Sequence, residues 1–131
     1  MSLQNVEVVE ALFDTWNARD MGGLRKLYDP NVIVRAPEGW PEPGPFVGPD
    51  AVMRQWNQMR EAWNADNLEP IDNFLHVADR VVGRFIWRGA GRGPETDLQL
   101  TGLWTIRNGK VFDTEFFWDH AEALKAVGLE E

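Results

Sequence analysis

The chain has 131 residues, a formal net charge of −8 and no cysteine. One domain with a real core fits that length, and two do not. The acidic balance argues against a nucleic-acid backbone or an anionic membrane as partner, while the lack of cysteine rules out disulfides, thiolate nucleophiles and cysteine metal sites and fits a reducing compartment.

The start, MSLQNVEVVEALF, carries early acidic residues and no apolar stretch long enough for a signal peptide or membrane span, so a cytoplasmic location is expected. Asn5 is placed to cap a first helix in which Val9, Leu12, Phe13 and Trp16 recur at helical spacing. Asp20 is placed to cap a second, short helix carrying Met21, Leu24, Leu27 and Tyr28, which Asp29-Pro30 ends. NVIVRA, Asn31 to Ala36, then reads as a β-branched strand with Val32, Val34 and Ala36 on one side. Pro37 to Pro49 holds five of the eight prolines and must be a loop, and its Trp40 and Phe46 either plug the core or cover a pocket. Asp50 opens a third helix with Val52, Trp56, Met59 and Trp63 in one stripe, ended by Asn64 to Asn67.

From Leu68 the period becomes that of strands. Leu68 to Val77 leads to a turn at Ala78-Asp79-Arg80, and VVGRFIWRG sets Val81, Gly83, Phe85 and Trp87 against Val82, Arg84, Ile86 and Arg88. A glycine-rich turn, Gly89 to Gly93, precedes a long hairpin from Asp97 to Asp119 centred on Asn108-Gly109, because a type I′ turn needs positive φ at both central residues. Pairing outward from Arg107 and Lys110 puts Thr105, Leu103, Thr101 and Gln99 opposite Phe112, Thr114, Phe116 and Trp118 on one face; Leu98, Leu100, Gly102, Trp104 and Ile106 share the other with Val111, Asp113, Glu115 and Phe117. Asp119 and Glu122 form a capping box for a last short helix that Gly128 stops.

This order makes a single α+β domain over residues 1–131 with helices packed on one face of a curved antiparallel sheet. The segments FDTWNARD, LRKLYDPNVIVRAP, FVGPDAV, VADRVV, LWTIRNGKV and FFWDHAEALKAVGL resemble the SnoaL-like proteins of the nuclear transport factor 2-like superfamily, which also contains ketosteroid isomerase. The resemblance implies a cone-shaped domain: a strongly curved antiparallel or mixed sheet wrapped on three N-terminal helices, with a short C-terminal helix. It is weak for activity, since that superfamily holds isomerases, cyclases, dehydratases, epoxide hydrolases and pure binding modules. Steroid isomerisation uses a tyrosine, an aspartate base and a protonated aspartate. Carried onto this chain, those roles fall on Leu12, Ala36 and Gly102 or Leu103, so all three are missing. The dehydratase branch uses a histidine pair with aromatic hydroxyls, which the distant His76 and His120, both expected at the surface, do not reproduce.

Seven tryptophans, where average usage would give about two, suit a core, an interface or the wall of an organic-ligand pocket. The expected cavity face joins Phe85, Trp87, Gln99, Thr101, Phe112, Thr114, Phe116 and Trp118, beneath Trp16, Tyr28 and Trp56 and beside Trp40. Glu38, two residues beyond Ala36, is the one acid placed to replace the missing base; the competing reading is a solvated loop acid. Asp113 and Glu115 are expected on the solvated face, and no spaced metal-ligand set or cofactor motif stands out. Three accounts follow: an isomerase, cyclase or hydrolase of a polyketide-, terpene- or steroid-like compound, a binding module for a hydrophobic small molecule, or a dimerisation scaffold. A homodimer through the sheet is expected because Trp104, Ile106, Val111 and Phe117 would otherwise expose an apolar patch.

Overall fold

A computed structural model describes residues 2–40, 44–63, 65–89 and 96–128. The elements are α1 (Ser2–Asn17), α2 (Met21–Lys26), β1 (Tyr28–Arg35), β2 (Phe46–Val47), α3 (Pro49–Trp63), β3 (Ala65–Pro70), β4 (Leu75–Val77), β5 (Arg80–Gly89), β6 (Thr96–Arg107), β7 (Lys110–Phe117) and α4 (His120–Ala126). The strands form one mixed sheet in the order β2-β1-β7-β6-β5-β3, with β4 also paired to β5; β1 and β7 run parallel, and every other pair is antiparallel. Among the described residues no helix is long and apolar enough to cross a membrane.

The helical stripe read in α1 is the one that is buried: Val9, Leu12, Phe13 and Trp16 all lie in the main core. Asp20 caps α2, its carboxylate accepting from Gly23 N at 2.9 Å. Tyr28 does not belong to that helix. It opens β1, because Val111 N donates to Leu27 O at 2.7 Å and Tyr28 pairs with Val111, so β7 captures the chain before Asp29-Pro30. The proline-rich loop contains the two-residue strand β2, and its residues 41–43 lie outside the described residues, as do the side chain of Trp63 and the expected glycine-rich turn beyond Gly89.

The hairpin turn falls where expected, with Asn108 and Gly109 at φ 54° and 76° and Arg107 paired to Lys110. After Ile106↔Val111, however, the register shifts by one, to Thr105↔Asp113, Trp104↔Thr114 and Gly102↔Phe116. Phe112 is the extra residue of a β-bulge, and its ring lies 3.9 Å beneath the Arg107 guanidinium. The β1–β7 ladder is irregular at the same place, with Tyr28↔Val111 followed by Ile33↔Asp113. β7 therefore has to satisfy two neighbours whose spacings differ, and the bulge reconciles them.

One inserted residue reverses the relation between the two strands. Trp104, Ile106 and Val111 are buried in the core beneath α1, not on an outer patch, which removes the argument for an apolar dimer interface. The outer face instead carries Arg84, Arg88, Thr105, Asp113 and Glu115, with a small second core of Val82, Leu103, Ala123 and Leu124 where α4 packs on the sheet. Gly83 and Gly102 face each other across β5 and β6. A Cβ on Gly102 would stand 2.4 Å from the Trp104 ring, and one on Gly83 would stand 2.1 Å from Phe74, so the glycine pair lets two aromatic rings lie against the sheet.

Candidate functional site

Between α1, α3 and the concave face lies a space of about 50 Å³. Leu12, Phe13 and Trp16 reach it from α1, Leu24 from α2, Tyr28 from β1 and Trp56 from α3; the sheet supplies Leu68, Phe85, Trp87, Trp104 and Phe116. Three tryptophans form its inner wall edge to face: Trp16 to Trp87 at 5.3 Å, Trp16 to Trp56 at 6.2 Å and Trp56 to Trp87 at 6.0 Å between ring centroids. Edge-to-face rings are a favourable arrangement that leaves angular gaps, which accounts for an unfilled space inside an aromatic core. Asn17 anchors the end of α1 to β3 through paired amide bonds with Leu68 at 2.9 and 2.7 Å. Arg60 holds the same end from α3, its guanidinium 4.1 Å over the Trp16 ring and donating to the Trp16 carbonyl.

Polar groups in this wall are few and mostly donors. The Trp56 Nε1–H donates to the Tyr28 hydroxyl at 2.9 Å, leaving the phenolic proton free to point at a guest. Burial pushes the Tyr28 hydroxyl well above the ordinary tyrosine range, and the Trp56 hydrogen bond acts weakly the other way, so it is a neutral donor at physiological pH. Trp16 Nε1 and Thr114 Oγ1 are buried with no hydrogen-bond partner among the described residues. A buried polar group without a partner costs about 1–3 kcal/mol, and of these two the Trp16 indole belongs to the wall of this space, where water or a ligand atom could satisfy it.

A second, smaller space of about 20 Å³ adjoins the first, with Trp56, Trp87 and Phe116 bordering both. Its other walls include Pro37, Trp40 and Phe46 from the proline-rich loop, Val34 and Ala36 from the first strand and its end, Leu100 from β6 and Gln55 from α3. Trp40 and Phe46 thus pack on the core and border a cavity at once.

Trp16, Tyr28, Trp56, Phe85, Trp87 and Phe116 line the larger space and Trp40 the smaller. Thr114 is buried on the inner face. Gln99 and Thr101 do not join them, because the Phe112 bulge turns their side of β6 outward: Gln99 is exposed, and Thr101 is buried beneath α4, in a hydrogen bond with His120 Nδ1 at 3.1 Å. Trp118 lies beyond the end of β7, is 47% exposed, meets Trp40 at a tilt with ring centroids 5.9 Å apart and donates to the Glu38 backbone carbonyl at 2.8 Å. Glu38 is itself exposed and contributes to neither wall. His76 is exposed, and Asp113 pairs with Arg35 at 2.9 Å on the outer face. Among the described residues no three His, Asp or Glu side chains converge as a metal site would require. The sequence reading missed Leu12, Phe13, Leu24, Leu68, Trp104 and Gln55. For Gln55 a signal existed: a glutamine three residues after Val52 and beside Trp56 lies on the buried stripe of α3.

A curved mixed sheet packed on helices, with an apolar space between them, is the fold of the nuclear transport factor 2-like, ketosteroid isomerase-like class. The SnoaL-like domain model matches residues 9–114, and the chain belongs to that family. Among solved structures, Bal32a from a soil-derived mobile gene cassette is similar with a TM-score of 0.80 at 23% identity, covering 88% of each chain. TerC, co-crystallised with polyporic acid, has a TM-score of 0.78 at 24% identity over 95% of this chain and 97% of its own. A polyketide cyclase homologue from Sinorhizobium meliloti has a TM-score of 0.70 at 24% identity over 84% and 93%. No curated protein matches the sequence.

Proposed function

We propose that this chain binds an uncharged, mostly apolar small molecule in the aromatic cavity, with a ligand carbonyl or ether oxygen accepting from Tyr28. The observation that carries this reading is the lining of the larger space, where Tyr28 is the one titratable side chain among the described residues, burial keeps it neutral, and its hydroxyl accepts from Trp56 with its own proton left to donate. A neutral donor in a desolvated, apolar pocket rewards an acceptor and penalises a charge. The co-crystallisation of TerC with polyporic acid supports, by likeness of fold, a small organic ligand as the guest. About 50 Å³ takes a few waters, so a larger guest has to displace side chains, and Trp56, half-buried between the two spaces, is the ring best placed to give way. A thermal-shift comparison of 1-tetralone with tetralin, the same skeleton without the oxygen, tests it: the ketone raises the melting temperature more. A shift from neither compound would refute this binding reading.

The second reading is an isomerase, cyclase or hydrolase of a polyketide-, terpene- or steroid-like compound. It is favoured by the polarised Tyr28 hydroxyl, which could stabilise negative charge developing on a ligand oxygen. The acid–base partner would be Glu38, whose exposed carboxylate would have to turn over the bound molecule. With a turnover assay, Glu38→Gln would then lower the rate by about a hundredfold or more while sparing affinity. An unimpaired variant removes Glu38 from the chemistry. Self-association through the sheet, also part of the proposal, would use the charged outer face. Light scattering would then show a dimer that weakens with added salt, and a monomer at micromolar concentration would contradict it.

A further inference from the structure

The smaller space is lined by a polar group that makes no hydrogen bond among the described residues. Gln55 on α3 is 6% exposed and lines that space, and its amide has no hydrogen-bond partner among the described residues. A primary amide carries two donors and an acceptor, which a leucine or methionine on the same helical stripe would lack. Its other lining side chains are apolar or carry only an indole N–H, so among the described residues of this wall the amide is the side chain that can both donate and accept.

The partition between the two spaces is made by Trp56, Trp87 and Phe116. Trp56 meets each of the other two rings edge-on with centroids 6.0 Å apart, so the three side chains shared by the two spaces meet through ring edges. Gln55 and Trp56 are successive residues of one helical turn, which ties the polar group of one space to the ring that closes the other.

We propose that the two spaces are the halves of one elongated site, and that Gln55 is its second specificity-determining residue. Tyr28 reads a hydrogen-bond acceptor at one end of a flat, neutral molecule; Gln55 reads a group that both donates and accepts, such as a hydroxyl or carboxamide, at the other. This rests on the binding reading above and adds to it the class of ligand: one with polar groups at both ends of an apolar ring system.

Titration calorimetry with tetralin, 1-tetralone and 6-hydroxy-1-tetralone tests it on the wild type and on Gln55→Leu and Gln55→Met, two variants of similar volume and good helix propensity. The hydroxyketone should bind the wild type about tenfold more tightly than 1-tetralone. Both variants should lose that advantage, the ratio of the two ketones' affinities falling to about one. If the wild type does not distinguish the two ketones, or if the variants weaken both alike, Gln55 is not an anchor and the inference fails while the binding reading stands. If none of the three compounds binds the wild type, the binding reading itself fails.

Discussion

The two faces of the sheet solve the same packing problem differently. On the outer face, Val82, Leu103, Ala123 and Leu124 close under α4; Asp119 caps that helix through Ala121 N at 2.9 Å, and His120 meets the buried Thr101 at 3.1 Å. The aliphatic groups fill the space, and the polar ones are paired. On the inner face, the side chains around the larger space are mostly large aromatic rings, many of them set edge to face; two spaces remain there, and Trp16 Nε1 and Thr114 Oγ1 are buried without a partner among the described residues. A core built only for stability has no reason to retain that combination, since gaps and unpaired polar groups both cost free energy. The contrast assigns the outer contact to holding the fold and the inner one to holding a guest.

Substitutions can break that contrast, and the largest effect is expected at Trp104. Its ring touches Phe13, Phe74, Phe85 and Phe116, so Trp104→Ala should cost about 3–5 kcal/mol in urea denaturation. Leu124→Ala in the outer cluster should cost about 2–4 kcal/mol and leave ligand affinity unchanged; if it weakens binding as strongly as an inner-face change does, the two faces are not separable. Gly102→Ala should cost about 1–3 kcal/mol because its methyl group would run into the Trp104 ring, and a neutral result would show that the ring is free to shift.

Tyr28→Phe should have a smaller effect on stability, about 1–2 kcal/mol, from the Trp56 N–H left unpaired. Its signature is instead in the pH dependence. The folded-state ionisation of Tyr28 is raised above the unfolded value near pH 10, so below that pH the group is neutral in both states and contributes no slope. Above it the unfolded chain releases a proton that the folded chain keeps, and stability should fall by about 1.4 kcal/mol per pH unit. Tyr28→Phe should abolish that part of the alkaline loss, and a variant with the same alkaline profile as the wild type would show that Tyr28 is not buried as described.

Much of this molecule was legible in the sequence because its signals are local. The α1 stripe, the Asp20 and Asp119 caps and the Asn108-Gly109 turn depend on neighbours within about one turn of chain, and each lies where the spacing put it. What was not legible depends on three strands at once. The Phe112 bulge exists because β7 must pair with β6 on one side and with β1 on the other, and no spacing within the hairpin encodes the second partner. That single residue moved Gln99 and Thr101 out of the expected cavity and Trp104 and Ile106 into the core, while Thr114 and Phe116 stayed on the inner side. Tyr28 was placed in a helix for the same reason, its strand being fixed by β7, a distant part of the chain.

The central claim is that a bound carbonyl oxygen accepts from the Tyr28 hydroxyl inside the aromatic cavity. Infrared difference spectroscopy of 1-tetralone bound to the wild type and to Tyr28→Phe tests this most directly, since a hydrogen bond to the oxygen lowers the carbonyl stretching frequency. The account predicts a band below the frequency in dry alkane for the wild type and a return toward the alkane value in the variant. A bound ketone whose band already matches alkane in the wild type, or whose lowered band persists without the Tyr28 hydroxyl, would contradict it.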